Sequence, residues 1–111
     1  MELKEKNEKG AVVLEIAGRL DVTNSEIIQE KFTEIIERGD IQLAVDCSNL
    51  EYISSSGLRA FLLLVKKIKA TNGRCALFGL TPDIKEVFDI SGFSGLFTIV
   101  SSKDEALSEV G

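Results

Sequence analysis

The 111-residue chain contains no histidine, and that absence closes several chemistries at once. Without an imidazole, neither a Ser-His-Asp nor a Cys-His arrangement assembles. There is no Walker A sequence, no Gly-x-Gly-x-x-Gly and no cluster with metal-ligand spacing. The two cysteines, Cys47 and Cys75, have no metal or redox spacing and lie in apolar strand-like runs, which reads as two buried thiols in a reduced compartment. No apolar run approaches the length of a membrane span. The opening Met1-Glu2-Leu3-Lys4-Glu5-Lys6 is charged and lacks the apolar centre of a signal peptide. A basic excess is also missing: 13 Lys and Arg face 18 Asp and Glu, for a net charge of −5, which argues against a general nucleic-acid binder. With no linker, repeat or low-complexity segment either, the expectation is one cytoplasmic domain over 1–111, with neither nucleic acid nor membrane as partner.

What is present is an ordinary globular composition, 44% hydrophobic and 28% charged, in a chain long enough to bury a core without staples. Residues 2–8 alternate weakly and suit an edge strand whose charges discourage further pairing. Ala11–Ala17 is rich in β-formers and bounded by Gly18. Thr23 and Glu26 have capping-box spacing, and the helix behind them buries Ile28, Phe32, Ile35 and Ile36 before Gly39 ends it. A buried strand follows at 41–47, then a serine-rich turn and a helix from about 56 to 71 with a core face of Leu58, Phe61, Leu62, Val65 and Ile68. Asn72-Gly73 precedes a strand at 74–79. Thr81-Pro82-Asp83 opens a helix lined by Ile84, Val87 and Phe88. Phe97–Val100 is a last strand, and Ser102 with Glu105 starts a terminal helix burying Ala106, Leu107 and Val110. The order β-β-α-β-α-β-α-β-α predicts a small α/β domain: a mixed, mainly parallel sheet with an antiparallel start.

The chain is organised around Leu50–Arg59, where three serines stand at a helix entrance. The first N–H groups of a helix have no partner within it, so a serine there can cap the helix, accept a phosphate or act as a nucleophile. The nucleophile reading is weak. The turn is not Gly-x-Ser-x-Gly, and Lys66 and Lys67 lie at least two helical turns from Ser55. Asp21 and Asp46 end strands and could approach one another, but as a pair they read better as turn-stabilising carboxylates than as an acid–base couple. A phospho-acceptor aspartate site needs several acids after the first strand to hold Mg²⁺, and only Asp21 is there. On the helix, Leu63 falls among Arg59, Lys66 and Lys67, away from the core face. An isolated surface leucine and an apolar anchor ringed by cations account for it about equally well.

At Gly18-Arg19-Leu20-Asp21, Asp46-Cys47-Ser48 and Ile53-Ser54-Ser55-Ser56-Gly57-Leu58-Arg59, the chain resembles STAS domains of the SpoIIAA and RsbV anti-sigma factor antagonist type. The resemblance covers essentially the whole chain. It implies a mixed sheet with helices on one face and no catalytic residues. It further implies a docking surface for an anti-sigma factor that is also a serine kinase. Phosphorylation ends that docking, and a metal-dependent PP2C-type phosphatase reverses it. ATP and Mg²⁺ would belong to the kinase, so the domain itself would carry no cofactor; the charged first strand leans towards a monomer. The family's Asp-Ser-Ser/Thr-Gly maps onto Ser54-Ser55-Ser56-Gly57, making Ser55 the match for the phosphorylated serine. Asp21 matches an acid beside the same surface. The partner-binding set on this reading is Asp21, Thr23, Asn24, Ser54, Ser55, Ser56, Gly57, Leu58, Arg59 and Leu63. One departure is Ser54, which stands where the family commonly has Asp. It leaves three serines in a row and keeps Ser54 and Ser56 open as alternative acceptors. A STAS module that assembles a signalling complex or senses a ligand is the alternative function.

Overall fold

Odd and even residues of the central strands feed two different cores, and this alternation builds the molecule. The computed structural model describes all 111 residues. In chain order the elements are β1 (Glu2–Glu8), β2 (Ala11–Leu20), α1 (Ser25–Glu37), β3 (Gln42–Asp46), β4 (Leu50–Ile53), α2 (Ser55–Ala70), β5 (Arg74–Phe78), α3 (Pro82–Ile90), a 3₁₀ turn at Phe93–Gly95, β6 (Thr98–Val100) and α4 (Lys103–Val110). The sheet runs β1-β2-β3-β5-β6, with β4 paired to β2. Only the β1–β2 pair is antiparallel; the others are parallel, so the sheet is mixed and mainly parallel as expected.

Val12, Leu14 and Ile16 of β2, Leu43 and Val45 of β3 and Leu77 of β5 join the larger core with residues of α1, α2 and α3. Phe61 of α2 is the centre of that core. Its ring meets Phe32 of α1 at 5.5 Å, Phe88 of α3 at 5.6 Å and Phe97 at 6.1 Å, all edge-on. The alternate residues Ala11, Val13, Ala44, Ala76 and Phe78 pack instead with Ala106, Leu107 and Val110 of α4. Helices on one face therefore describes α1 to α3, whereas α4 covers the opposite face. Ala44 and Ala76, paired in register on that face, leave room for the short helix to approach closely.

Several local readings change. β4 is a strand that the sequence reading took for part of the turn. It has only four residues, exposed in the middle and buried at the ends, and a two-residue alternation that short leaves little signal. β2 does not end at Gly18. That glycine, at φ +94°, sits at a register shift, and the strand continues to Leu20 paired with β4 instead of β3. The capping box expected from Thr23 and Glu26 does not form: α1 begins at Ser25, and Thr23 bonds Asp21. On α2 the core takes fully buried Leu64, while Leu62 is only half-buried. Elsewhere the caps are as read. Thr81 accepts from Ile84 N at 3.4 Å with Pro82 at the first helical position, and Ser102 accepts from Glu105 N at 3.2 Å. Cys47 is buried, Cys75 is half-buried, and both are free thiols. Burial pushes both thiols up, Cys75 to about 12. No helix is long and apolar enough to cross a membrane.

The edge strand β1 is tied down by its charges. Glu5 pairs with Lys31 of α1 and with Arg38 at the C-cap of that helix, and Glu8 on the opposite face pairs with Lys103 of α4 at 3.2 Å. Hydrogen bonds from Lys31 and then Arg38 hold the Glu5 carboxyl below its ordinary value of 4.5. A folded-state value below the unfolded one stabilises the fold fully above 4.5 and loses that effect as pH falls through the folded value. In denaturant titrations, Glu5→Gln should lower the unfolding midpoint at neutral pH, and the gap to the parent should close as pH drops below 4.5. A gap unchanged by acid would remove the ion pairs as its cause.

Candidate docking site at the start of helix α2

The ends of β2 and β4 lie side by side, and the main chain joins them: Ser54 N donates to Leu20 O at 2.9 Å. Helix α2 begins at the next residue. Ser54 is its N-cap, with extended backbone, and its Oγ accepts from Gly57 N at 3.2 Å while its carbonyl receives Leu58 N at 2.9 Å. Ser56 is partly buried and shares a 2.9 Å hydrogen bond with Ser54 Oγ. Ser55 differs from both neighbours. It is exposed at the first position of the helix, and its hydroxyl has no hydrogen-bond partner in the chain. The three serines thus divide the roles open to them: Ser54 caps, Ser56 braces the cap and Ser55 faces solvent.

Two of the sequence-read docking residues are not surface. Gly57 is buried, and a Cβ on it would lie 2.8 Å from Ile53 Cγ1 and 2.9 Å from Leu20 Cγ. Leu58 is 9% exposed and belongs to the main core. Both set where the helix sits and present nothing to a partner.

Ser55, Arg59, the pair Leu62 and Leu63, and Lys66 recur at three- and four-residue spacings and share one side of α2. Leu63 is 37% exposed, so its sequence position away from the core face is its position in the fold. This side is entirely basic: α2 carries Arg59, Lys66, Lys67 and Lys69 and no acid. Its neighbour α1 is the reverse, with Glu26, Glu30, Glu34 and Glu37 against the single Lys31. From Ser55 to Lys66 is eleven residues, roughly 16 Å of helix, so a Ser-Lys catalytic pair does not form.

The other side of the site is the β2–α1 turn. Asp21 follows directly on Leu20, which places it beside the serine turn. Its Oδ1 accepts from Thr23 Oγ1 at 2.5 Å and Thr23 N at 3.0 Å, and these two bonds are the main reason its carboxyl lies below the usual range. Asn24 closes the turn, accepting from Asp21 N at 2.9 Å and donating to Arg19 O at 2.8 Å. Asp46 repeats the device with Ser48, at 2.9 Å to the amide and 2.6 Å to the hydroxyl. The carboxylates are turn-stabilisers in both places. Asp46 pairs in register with Glu15 of β2, well short of Asp21, so the two acids do not share a site.

Sequence reasoning missed Val22, 77% exposed between Asp21 and Thr23, and Ile27, 54% exposed in the first turn of α1. Leu62 and Lys66 complete the α2 stripe. The available signal was an apolar residue inside a polar turn, which is unremarkable until the fold joins the end of β2 to the serine turn.

Comparison with known proteins agrees with this architecture. Residues 2–106 match the STAS domain family. BtrV of Bordetella bronchiseptica, assigned as an anti-sigma factor antagonist, is 32% identical over 97 residues, which is 87% of this chain and 84% of BtrV. The crystal structure of TM1081 from Thermotoga maritima, assigned likewise, superposes with a TM-score of 0.89 at 22% identity, covering 97% of this chain and 93% of that one. The Bacillus protein SpoIIAA in its phosphorylated form gives 0.74 at 24% identity over 99% of this chain and 100% of its own; the unphosphorylated anti-sigma factor antagonist SpoIIAA gives 0.73.

Substitutions at two positions test the local account. Gly57→Ala gains about 1 kcal/mol of helix propensity, but its methyl overpacks Leu20 and Ile53 at a cost of about 1–3 kcal/mol. A net loss in urea denaturation is expected, and a net gain would show that the first turn of α2 is free to move off the strands. Ser54→Ala should lose about 1 kcal/mol, whereas Ser54→Asp, which keeps the cap and adds a favourable charge, should lose nothing.

Proposed function

This chain belongs to the STAS domain family, and on that premise we propose that it is an anti-sigma factor antagonist whose docking is switched off by phosphorylation of Ser55. The observation that carries this reading is the division of labour among the serines. Ser55 alone is exposed, unbonded and at the edge of a basic surface with apolar anchors. Modification of Ser54 would remove the helix cap, and Ser56 is held against it.

The partner is an anti-sigma factor that is also a serine kinase and brings its own ATP and Mg²⁺. In the transfer, Ser55 Oγ forms a bond to the γ-phosphorus as the bond from that phosphorus to the β,γ-bridging oxygen breaks. ADP leaves, and the hydroxyl proton passes to a base on the kinase, the Asp21 carboxylate being engaged by Thr23. A PP2C-type phosphatase returns the hydroxyl by transferring the phosphoryl group to water. The contact surface consists of Ser55, Arg59, Leu62, Leu63 and Lys66 of α2, with Asp21, Val22, Thr23 and Asn24 at its margin. Ser54, Ser56, Gly57 and Leu58 hold it in place. The charged outer edge of β1 supports a monomer.

A phosphoserine adds about −1.5 to −2 charge. At a helix N-terminus that charge is favourable by about 0.3–2 kcal/mol, so the fold survives. Buried unpaired in an interface it costs about 2–5 kcal/mol, or about 30- to several-thousand-fold in affinity. The interface effect is larger, so phosphorylation expels the partner and leaves the domain folded. That SpoIIAA shares this fold in both its forms supports the argument.

The test is phosphopeptide mapping and complex formation with Mg-ATP and anti-sigma kinases of the same organism. Expected results are one phosphate on Ser55, none in Ser55→Ala, and a complex that Leu63→Ala weakens and phosphorylation dissolves. No phosphate and no complex with any such kinase would overturn the proposal in favour of a STAS module for complex assembly or ligand sensing.

A further inference from the structure

Ser55 and Arg59 stand one helical turn apart on the same exposed side of α2, at the spacing where side chains of a helix meet. Long side chains on a helix lean back towards its N-terminus and over the residue four positions earlier, which puts the space above Ser55 within reach of the guanidinium of Arg59. Of the four arginines, Arg59 alone is unengaged. Arg38 pairs with Glu5, Glu34 and Asp40, Arg19 stacks 4.2 Å from the centre of the Tyr52 ring, and Arg74 donates to Gly111 O at 3.3 Å. Nothing on the helix competes for Arg59, because α2 contains no acid. The nearby carboxylate of Asp21 is held by Thr23.

We propose that Arg59 is an intramolecular receptor for the phosphate on Ser55, so that phosphorylation removes a cation from the docking surface as well as adding an anion to it. This rests on the reading of Ser55 as the acceptor. A guanidinium presents two parallel N–H groups to a phosphate, a match that an ammonium lacks. In the unmodified protein that fork is free for a carboxylate of the partner. In the modified protein the phosphate four residues earlier occupies it at high effective concentration. The partner then meets a surface with an extra dianion and without its ion-pair donor, so a single modification changes two groups.

The test requires no kinase. Phosphoserine is inserted at position 55 during translation, and the second ionisation of the phosphate is followed by ³¹P NMR in the parent, Arg59→Gln, Arg59→Lys and Lys66→Gln. A neighbouring cation favours the dianion and lowers that pKa. Arg59→Gln should therefore raise it by a few tenths of a unit, about two- to threefold in proton affinity, the scale of an exposed ion pair one turn apart. Arg59→Lys should recover part of the shift and Lys66→Gln should leave it unchanged. The difference should narrow in about 1 M salt, where the screening length falls to about 3 Å. An unchanged titration in Arg59→Gln, with amide spectra confirming the fold, would overturn the proposal, as would an equal shift in Lys66→Gln, which would point to the general field of the helix. A kinase that never modifies Ser55 would sink the antagonist reading while leaving this titration intact, so the two failures are distinguishable.

Discussion

The hydrogen bond from Ser54 N to Leu20 O, with Gly57 pressed against Leu20 and Ile53, is the constraint from which the rest of the site follows. A helix that starts at the end of two strands can approach them closely only if its first turn has no side chain on the inner face. Gly57 meets that requirement. The close approach in turn puts Phe61, one turn on, at the centre of the aromatic cluster, so the same contact that locates the serines also seats the core. Ser55 is exposed because the residues around it are committed inward: its neighbours to the cap, Gly57 and Leu58 to packing.

The elements legible in the sequence were those with a period to count. α1, α2, α3 and α4 each present a repeated apolar face, and β2, β3 and β5 contain unbroken apolar runs. What escaped was short or conditional. β4 has its two buried residues separated by exposed Glu51 and Tyr52, unlike the unbroken β-forming run of the shorter β6, and Gly18 looks like a strand end unless one knows that a second strand waits to pair beyond it. Thr23 was assigned to Glu26 by spacing, but Asp21 lies only two residues away and its Oδ1 takes both the amide and the hydroxyl, a local turn that outcompetes the box. The site was legible as a place and only partly as a surface. Which of three identical residues is exposed depends on where the helix begins, a matter of a single residue that periodicity does not resolve. Gly57 and Leu58 were read as contact residues because they adjoin Ser55 in the chain, though the helix turns them inward.

The two Asp-x-Ser/Thr turns explain why Ser54 is an acceptable cap. At Asp21 and Asp46 a carboxylate gathers the N–H and O–H two residues on; at Ser54 a hydroxyl performs a similar service at the helix start, with Ser56 as its brace. Leaving the helix entrance without a carboxylate has an electrostatic effect. The positive end of α2 is not neutralised by its own cap, so the basic character of the helix extends to its first turn.

The opposed charges of α1 and α2 reach further than the docking contact itself. Two adjacent helices, one rich in glutamate and the other in lysine and arginine, give the domain a transverse electric moment although its net charge is negative. A molecule with the complementary polarity would feel a torque before it touched, turning it towards the serine entrance. Association would then be fast in dilute buffer and slow in concentrated salt, while the lifetime of the complex, governed by the apolar anchors, would change far less.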